Sequence, residues 1–286
     1  MHLFVDCSRS FQVPSRPSAD AATTSCADGS AGLDVESFVV SSVWTTLSER
    51  ACRMIQRSMD DFVDGRPRWP VLEVKAAMQA CGLPDTPAFL ECVVRFGGVH
   101  YDVRNGRSLW IYPSRSDVTP EWLFAHNMIR LYERRLYDFG YDNRAPFRLV
   151  LDDRGRVCAY DAGSICLMSD SLVSFIESDS MKDYLSDGGR SWHWSRCRLK
   201  IGYCEQLSRL IAIPAVSEAS CSCHSWWALD DIAAFRFLMA DFGRVREDYL
   251  WVFSRDLSQL DRLLDRVAVC VEFRDKNGAW TPLGKS

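Results

Sequence analysis

Cys221-Ser222-Cys223-His224 offers two thiols and an imidazole within four residues, with His193, Cys197 and Cys204 upstream. Thiolates and imidazoles are the donors that a tetrahedral zinc ion takes. The Cys-x-Cys-His spacing is not one of the familiar zinc-knuckle patterns, and Cys197 and Cys204 stand too far apart to form one. Buried or loop thiols are therefore the favoured reading, with Cys221, Cys223 and His224 as weaker metal candidates. A disulfide between Cys221 and Cys223 is sterically poor. No cofactor is expected.

Neighbouring acids invite an acid/base reading. Asp152-Asp153 fits a hairpin turn better, and Asp230-Asp231 a helix cap. His100 and His126 are lone histidines beside apolar segments, the usual setting of structural imidazoles. The chain carries no GxxxxGK[ST], GxGxxG, GxSxG or HExxH pattern, and no enzymatic activity is expected. The most basic and aromatic passage, Ser191 to Lys200, sets Trp192 and Trp194 beside Arg196, Arg198 and Lys200. Such a strand could stack bases and neutralise phosphates. A solvated strand face beside core tryptophans is preferred, since net charge is −4.

These groups must be carried by elements that the composition allows. The chain has 286 residues, 47% of them hydrophobic and 12% aromatic, which supports one large domain or two ordinary ones. The charge gives no general drive toward nucleic acid or anionic membrane. No apolar stretch approaches the roughly 20 residues of a membrane span, and the N-terminus does not read as a secretory signal. Twelve scattered cysteines without a compact framework fit reduced thiols in a cytosolic or nuclear setting.

Residues 1–34 are poor in large apolar side chains beyond the first few and read as a flexible arm. Helical patterns cover Phe38 to Met59 and Val71 to Ala80, the latter closed by Gly82. A short helix ends at Phe96-Gly97-Gly98, and Val99 to Tyr112 forms a hairpin. Thr119-Pro120-Glu121 starts a helix expected to run to Phe139 and stop at Gly140. Phe147 to Tyr160 is a second hairpin, and Ser169-Asp170 caps a helix burying Leu172, Phe175 and Ile176. After Gly188-Gly189, Cys197, Leu199 and Ile201 alternate with basic residues as in a half-buried strand. Asp230-Asp231 is expected to cap a helix carrying Phe235 and Leu238. A strand at Leu250 to Phe253 and a final helix striped by Leu260, Leu263 and Val267 complete the chain.

One pattern recurs. Ala88 to Asp102 is echoed without a gap by Ala234 to Asp248, and Leu109-Trp110-Ile111-Tyr112 by Leu250-Trp251-Val252-Phe253. The echo points to two related units, at 35–188 and 189–286, whose second copy has the shorter hairpin tip.

LPDTPAFLECVVRFGGVHYD, ending at Asp102, resembles the entry motif of the SUKH superfamily. Arg148 to Ser178 resembles its later signature, a hairpin with a polar-Gly tip followed by strand, loop and helix. The tandem layout, the Ser/Ala-rich start and the Cys and Trp content are most like the betaherpesvirus US-twenty-two family of tegument and early proteins. Bacterial SUKH immunity proteins are the second choice. The resemblance implies an α+β fold of two SUKH-like units, each with helices on a curved antiparallel sheet. It brings no shared catalytic residues. It implies Gly97, Gly98 and Gly155 as backbone determinants, with Trp110 and Trp251 as core anchors; the echo adds Gly243, where Arg244 replaces the second glycine. The function it implies is a non-enzymatic interaction protein that blocks a host protein in the host cytoplasm, nucleus or virion tegument. A toxin is the partner in the immunity reading, and double-stranded RNA is a further alternative. Trp192, Trp194, Trp226 and Trp227 are the expected exposed contributors, and no membrane is involved.

Overall fold

A computed structural model describes residues 46–59, 69–83, 86–112, 118–131, 134–186, 192–200, 204–240, 246–274 and 280–281. The N-terminal arm, the first part of the Phe38 helix, the Gly188-Gly189 boundary and Gly243 lie outside them.

The first part of the chain begins with α1 (Glu49–Met59) and α2 (Val71–Ala80). The short α3 (Pro87–Glu91) runs into a π-helical turn at Cys92–Phe96. The hairpin β1 (His100–Val103) and β2 (Arg107–Ile111) follows, then α4 (Pro120–Asn127). Five strands come next: β3 (Met128–Leu131), β4 (Arg134–Asp142), β5 (Arg148–Leu151), β6 (Val157–Asp161) and β7 (Ser164–Ser169). They build a seven-stranded antiparallel sheet in the order β1-β2-β4-β5-β6-β7, with β3 on β4. Phe89, Phe96, Tyr101, Ile111 and Tyr137 lie in its core.

The helix α5 (Leu172–Leu185) leads to the second sheet. That sheet takes β8 (His193–Leu199), β9 (His224–Leu229), β10 (Ile232–Ala240), β11 (Arg246–Ser254), β12 (Val271–Arg274) and β13 (Trp280–Thr281). Its order is β13-β12-β8-β11-β10-β9. Helices α6 (Cys204–Ile211) and α7 (Leu257–Val267) accompany it. Cys197, Leu207, Leu250, Val252, Leu263 and Val267 form its core. The architecture is thus α+β, with two antiparallel sheets that each pair with their own helices. No helix among the described residues is long and apolar enough to cross a membrane.

Three sequence expectations are corrected. The Thr119 helix starts as read, its hydroxyl accepting from Trp122 N at 3.2 Å. It ends at Asn127, and the following residues form β3 and β4. Gly140 does not stop a helix. It sits within β4, where an added Cβ would lie 2.5 Å from the Trp110 carbonyl oxygen. Asp230 turns the β9–β10 hairpin with φ +43°, and Phe235 and Leu238 belong to a strand. The echo is therefore not structural. Phe89 is helical, whereas Phe235 is in β10, paired to Trp226 on one side and Trp251 on the other. Two flanking strands overrode the helical spacing of Ala234–Leu238.

Trp110 and Trp251 also differ in surroundings. Trp110 stacks on His100 at 4.3 Å, and Trp251 on Trp194 at 5.3 Å. Both are half-buried, so neither is a fully enclosed core anchor. Of the glycines, Gly98 and Gly155 take φ +79° and +78°. Gly97 has φ −55° and needs no special conformation.

A different correspondence is present. In each sheet a three-strand meander, β5-β6-β7 or β9-β10-β11, precedes a helix. The last strand ends in a fully buried serine, Ser169 or Ser254. Two residues later comes the N-cap, Ser171 accepting from Ser174 N or Asp256 from Ser258 N. The buried hydroxyls meet Ser174 Oγ at 2.6 Å and Gln259 Oε1 at 3.4 Å, five residues on in both.

Candidate functional site

The residues of interest lie on the two faces of the second sheet and at its junction with α5. Alternation sends adjacent side chains to opposite faces. On β8, Cys197 and Leu199 enter the core, which leaves Trp194, Arg196 and Arg198 on the outer face. On β11, Leu250 and Val252 go inward, and Tyr249, Trp251 and Phe253 join that outer face. The register sets Phe253 opposite Trp194, Trp251 opposite Arg196 and Tyr249 opposite Arg198.

The result is an aromatic platform. Trp251 stacks on Trp194 and on Phe253, and the Arg196 guanidinium lies 5.4 Å from the Trp251 ring and 5.2 Å from Tyr249. The row continues across β10 and β9 through Phe235, stacked on Trp226 at 4.1 Å. Its two ends differ in cover. Trp226 is 1% exposed beneath α5, and Trp194 is 39% exposed.

The structure sorts the expected contributors accordingly. Trp194 and Arg196 are exposed. Trp192 is half-buried under Arg255, 4.9 Å away, with Tyr184 at its edge. Arg198 gives two hydrogen bonds to Glu272 Oε2, and Lys200 Nζ donates to the Val269 carbonyl at 2.9 Å. Two of the three cations of this passage thus already serve internal acceptors. Trp226 and Trp227, expected at the surface, are buried. Trp227 enters the core of the second sheet, while Trp226 packs with Met181 and Ala219. Adjacent tryptophans on β9 reach opposite faces, and both faces are covered.

Tyr249 and Phe253 were missed as platform residues. The segment Tyr249-Leu250-Trp251-Val252-Phe253 is apolar throughout. The available signal was that every aromatic falls on alternate positions, which segregates them on one face.

The support beneath is α5. Leu172, Phe175 and Ile176 bury in the first core as expected, and the polar side is buried too. Glu177 accepts from Ser48 N at 2.5 Å and Ser48 Oγ at 2.6 Å. Asp179 accepts from Arg107 Nη1 at 2.5 Å, Tyr101 Oη at 2.9 Å and Lys182 Nζ at 2.9 Å. Asp183 takes two bonds from Arg57 and one from Arg104 N. Burial raises the Asp179 pKa, but Arg107 and Lys182 outweigh it and hold the carboxyl below its ordinary value. Ser178 Oγ accepts from Trp226 Nε1 at 2.9 Å, tying this helix to β9.

At the same junction the Cys-x-Cys-His segment folds into a tight turn, closed by Cys221 N donating to the His224 carbonyl at 2.8 Å. Cys221 Sγ lies 3.2 Å from Cys223 Sγ and 3.1 Å from His224 Nδ1. The Met168 carbonyl at the end of β7 faces Cys223 Sγ at 3.0 Å and His224 Nδ1 at 3.2 Å. His193 and Cys197 are not part of this group, and the Cys204 side chain lies outside the described residues. Donation from Cys223, reinforced by His224 against the cost of burial, lowers the Cys221 pKa to about 3, and the Cys223 thiol is pushed up in turn.

No family model, no curated protein and no solved structure matches this chain.

Proposed function

We propose that the chain is a non-enzymatic protein-interaction module whose docking face is the outer side of β8 and β11. The observation that carries this reading is the exposed Trp194 stacked on Trp251 with Arg196 over the same ring. Trp, Tyr and Arg concentrate binding energy when a partner desolvates them. A prestacked pair also loses little rotamer freedom on binding. The partner fitting this face is a protein surface presenting an apolar side chain beside a carboxylate, the latter complementing Arg196.

Together with the SUKH resemblance, the reading becomes a viral tegument or early protein that occludes a host antiviral or signalling protein in the host cytoplasm, nucleus or virion. Toxin neutralisation by a bacterial immunity protein is the alternative and uses the same kind of face. Double-stranded RNA is less favoured, because Arg198 and Lys200 are engaged internally and the chain is net acidic.

The test is quantitative capture of proteins from infected or host-cell extract by the full chain and by Trp194→Ala/Arg196→Ala. Specific partners should fall at least about tenfold with unchanged melting temperature, the loss of roughly 1.4 kcal/mol or more expected of an anchor pair. Equal capture by both proteins overturns the assignment. A mobility shift with double-stranded RNA at low salt that the double variant abolishes transfers the face to nucleic acid.

A further inference from the structure

We propose that Cys221, Cys223 and His224 form a binding site for a thiophilic divalent cation, with zinc the natural occupant. Their donor atoms all lie within 4.8 Å of one another. With zinc–sulfur bonds of about 2.3 Å and zinc–nitrogen bonds of about 2.0 Å, a tetrahedron separates sulfur from sulfur by roughly 3.8 Å and sulfur from nitrogen by roughly 3.5 Å. The observed separations are 3.2 Å between the sulfurs, and 3.1 and 3.8 Å from His224 Nδ1 to Cys221 and Cys223. These separations lie within about 0.6 Å of the tetrahedral ones.

The turn is already braced. Asp170 accepts from Ser222 N at 2.7 Å and from Ser222 Oγ at 2.6 Å, and Leu238 N donates to the Cys223 carbonyl at 2.9 Å. Outer partners of this kind orient ligands in metal sites. Only here among the described residues do three metal-donor side chains converge.

Binding requires both sulfurs as thiolates and the imidazole neutral, and whatever protons these groups carry pass to solvent, with no redox change. The fourth position falls to water or to an added ligand. Cys223 and Ser222 line a cleft of about 440 Å³ shared with Arg134, Asp152 and Arg156, which gives such a ligand a path.

The experiment uses the full, reduced, metal-stripped chain. One equivalent of cobalt(II) should give the visible bands of a tetrahedral site and a sulfur-to-cobalt charge-transfer band, both erased by zinc. Cys221→Ser/Cys223→Ser should lose the bands, and Cys81→Ser should keep them. Asp170→Asn, a positioning change, should weaken zinc by roughly tenfold. In the unaltered protein, one equivalent of zinc should slow iodoacetamide labelling of Cys221 and Cys223 at least about tenfold, read peptide by peptide. That readout stands even if the double variant fails to fold. Absence of the charge-transfer band, or protection spread over other cysteines, overturns the proposal.

Discussion

Trp226 Nε1 donates to Ser178 Oγ at 2.9 Å, a bond between buried groups that joins β9 of the second sheet to α5. Ser178→Ala leaves a buried indole N–H without its acceptor, which costs about 1–3 kcal/mol. Trp226→Phe removes the donor and strands the hydroxyl at similar cost. The double variant is expected to lose less than the two singles together, because neither group is then left unmatched. Urea denaturation measures all three. A Ser178→Ala chain as stable as its parent would show that the bond contributes nothing.

Arg107 bridges Asp142 and Asp179, each at 2.5 Å. Arg107→Ala removes the guanidinium shared by both carboxylates, leaving Asp179 to Lys182 and Tyr101 and Asp142 to the Arg144 amide, and should cost more than Asp179→Asn, with about 3–5 kcal/mol for the former. The Asp179 pKa is lowered on folding. Its stabilisation is therefore complete above its unfolded value of about 3.9 and disappears as pH falls through the lower folded value. Denaturation midpoints recorded from neutral pH down to about pH 2 should fall less steeply for Asp179→Asn than for the parent. Parallel acid profiles contradict this.

Asp138 has the opposite sign. Burial raises its pKa to about 6, only partly offset by Arg148 and the Gly140 backbone. The native state then holds a proton that the unfolded chain has already lost, so stability rises as pH falls from about 7 toward 4. Asp138→Asn removes this penalty and should stabilise the protein at neutral pH by up to roughly 2–3 kcal/mol. Its Arg148 partner is largely exposed at 3.3 Å, so losing that pair costs little. The melting-temperature gain should vanish near pH 4, and a variant less stable at pH 7 refutes the assignment.

What the sequence disclosed follows from how local each signal was. Gly82, the Thr119 cap and the hairpin tip at Gly155 were legible because a turn or cap is written in neighbouring residues. The strand β10 was not. Phe235 and Leu238 have helical spacing, and only pairing to β9 and β11 decides their conformation. The same limit hid the polar side of α5: nothing in the neighbouring residues marks Glu177, Asp179 and Asp183 as buried, yet all three are covered by arginines and hydroxyls distant in sequence. At the candidate site, Trp194 was singled out by composition, in the most basic and aromatic passage, and Arg196 also by its alternation with Cys197 and Leu199. Trp226 and Trp227 were misplaced because burial of both faces of β9 depends on α5 and on the second core.

Gly140 offers the most direct check on the two-sheet description. In β4 its missing Cβ admits the Trp110 carbonyl of β2, 2.5 Å from where that carbon would stand. The obstacle is backbone, fixed by Tyr112 N donating to the Phe139 carbonyl at 2.7 Å, so the sheet cannot yield by a rotamer change. Gly140→Ala should destabilise by about 1–3 kcal/mol through overpacking, and Gly140→Val by more. Had this residue ended a helix, as its spacing implies, alanine would be tolerated more readily than valine only through propensity, a difference of about 0.5–1 kcal/mol. Amide exchange localises the effect. Protection should fall at Ile111 and Tyr112 in Gly140→Ala, while Leu250 and Val252 in the second sheet keep theirs.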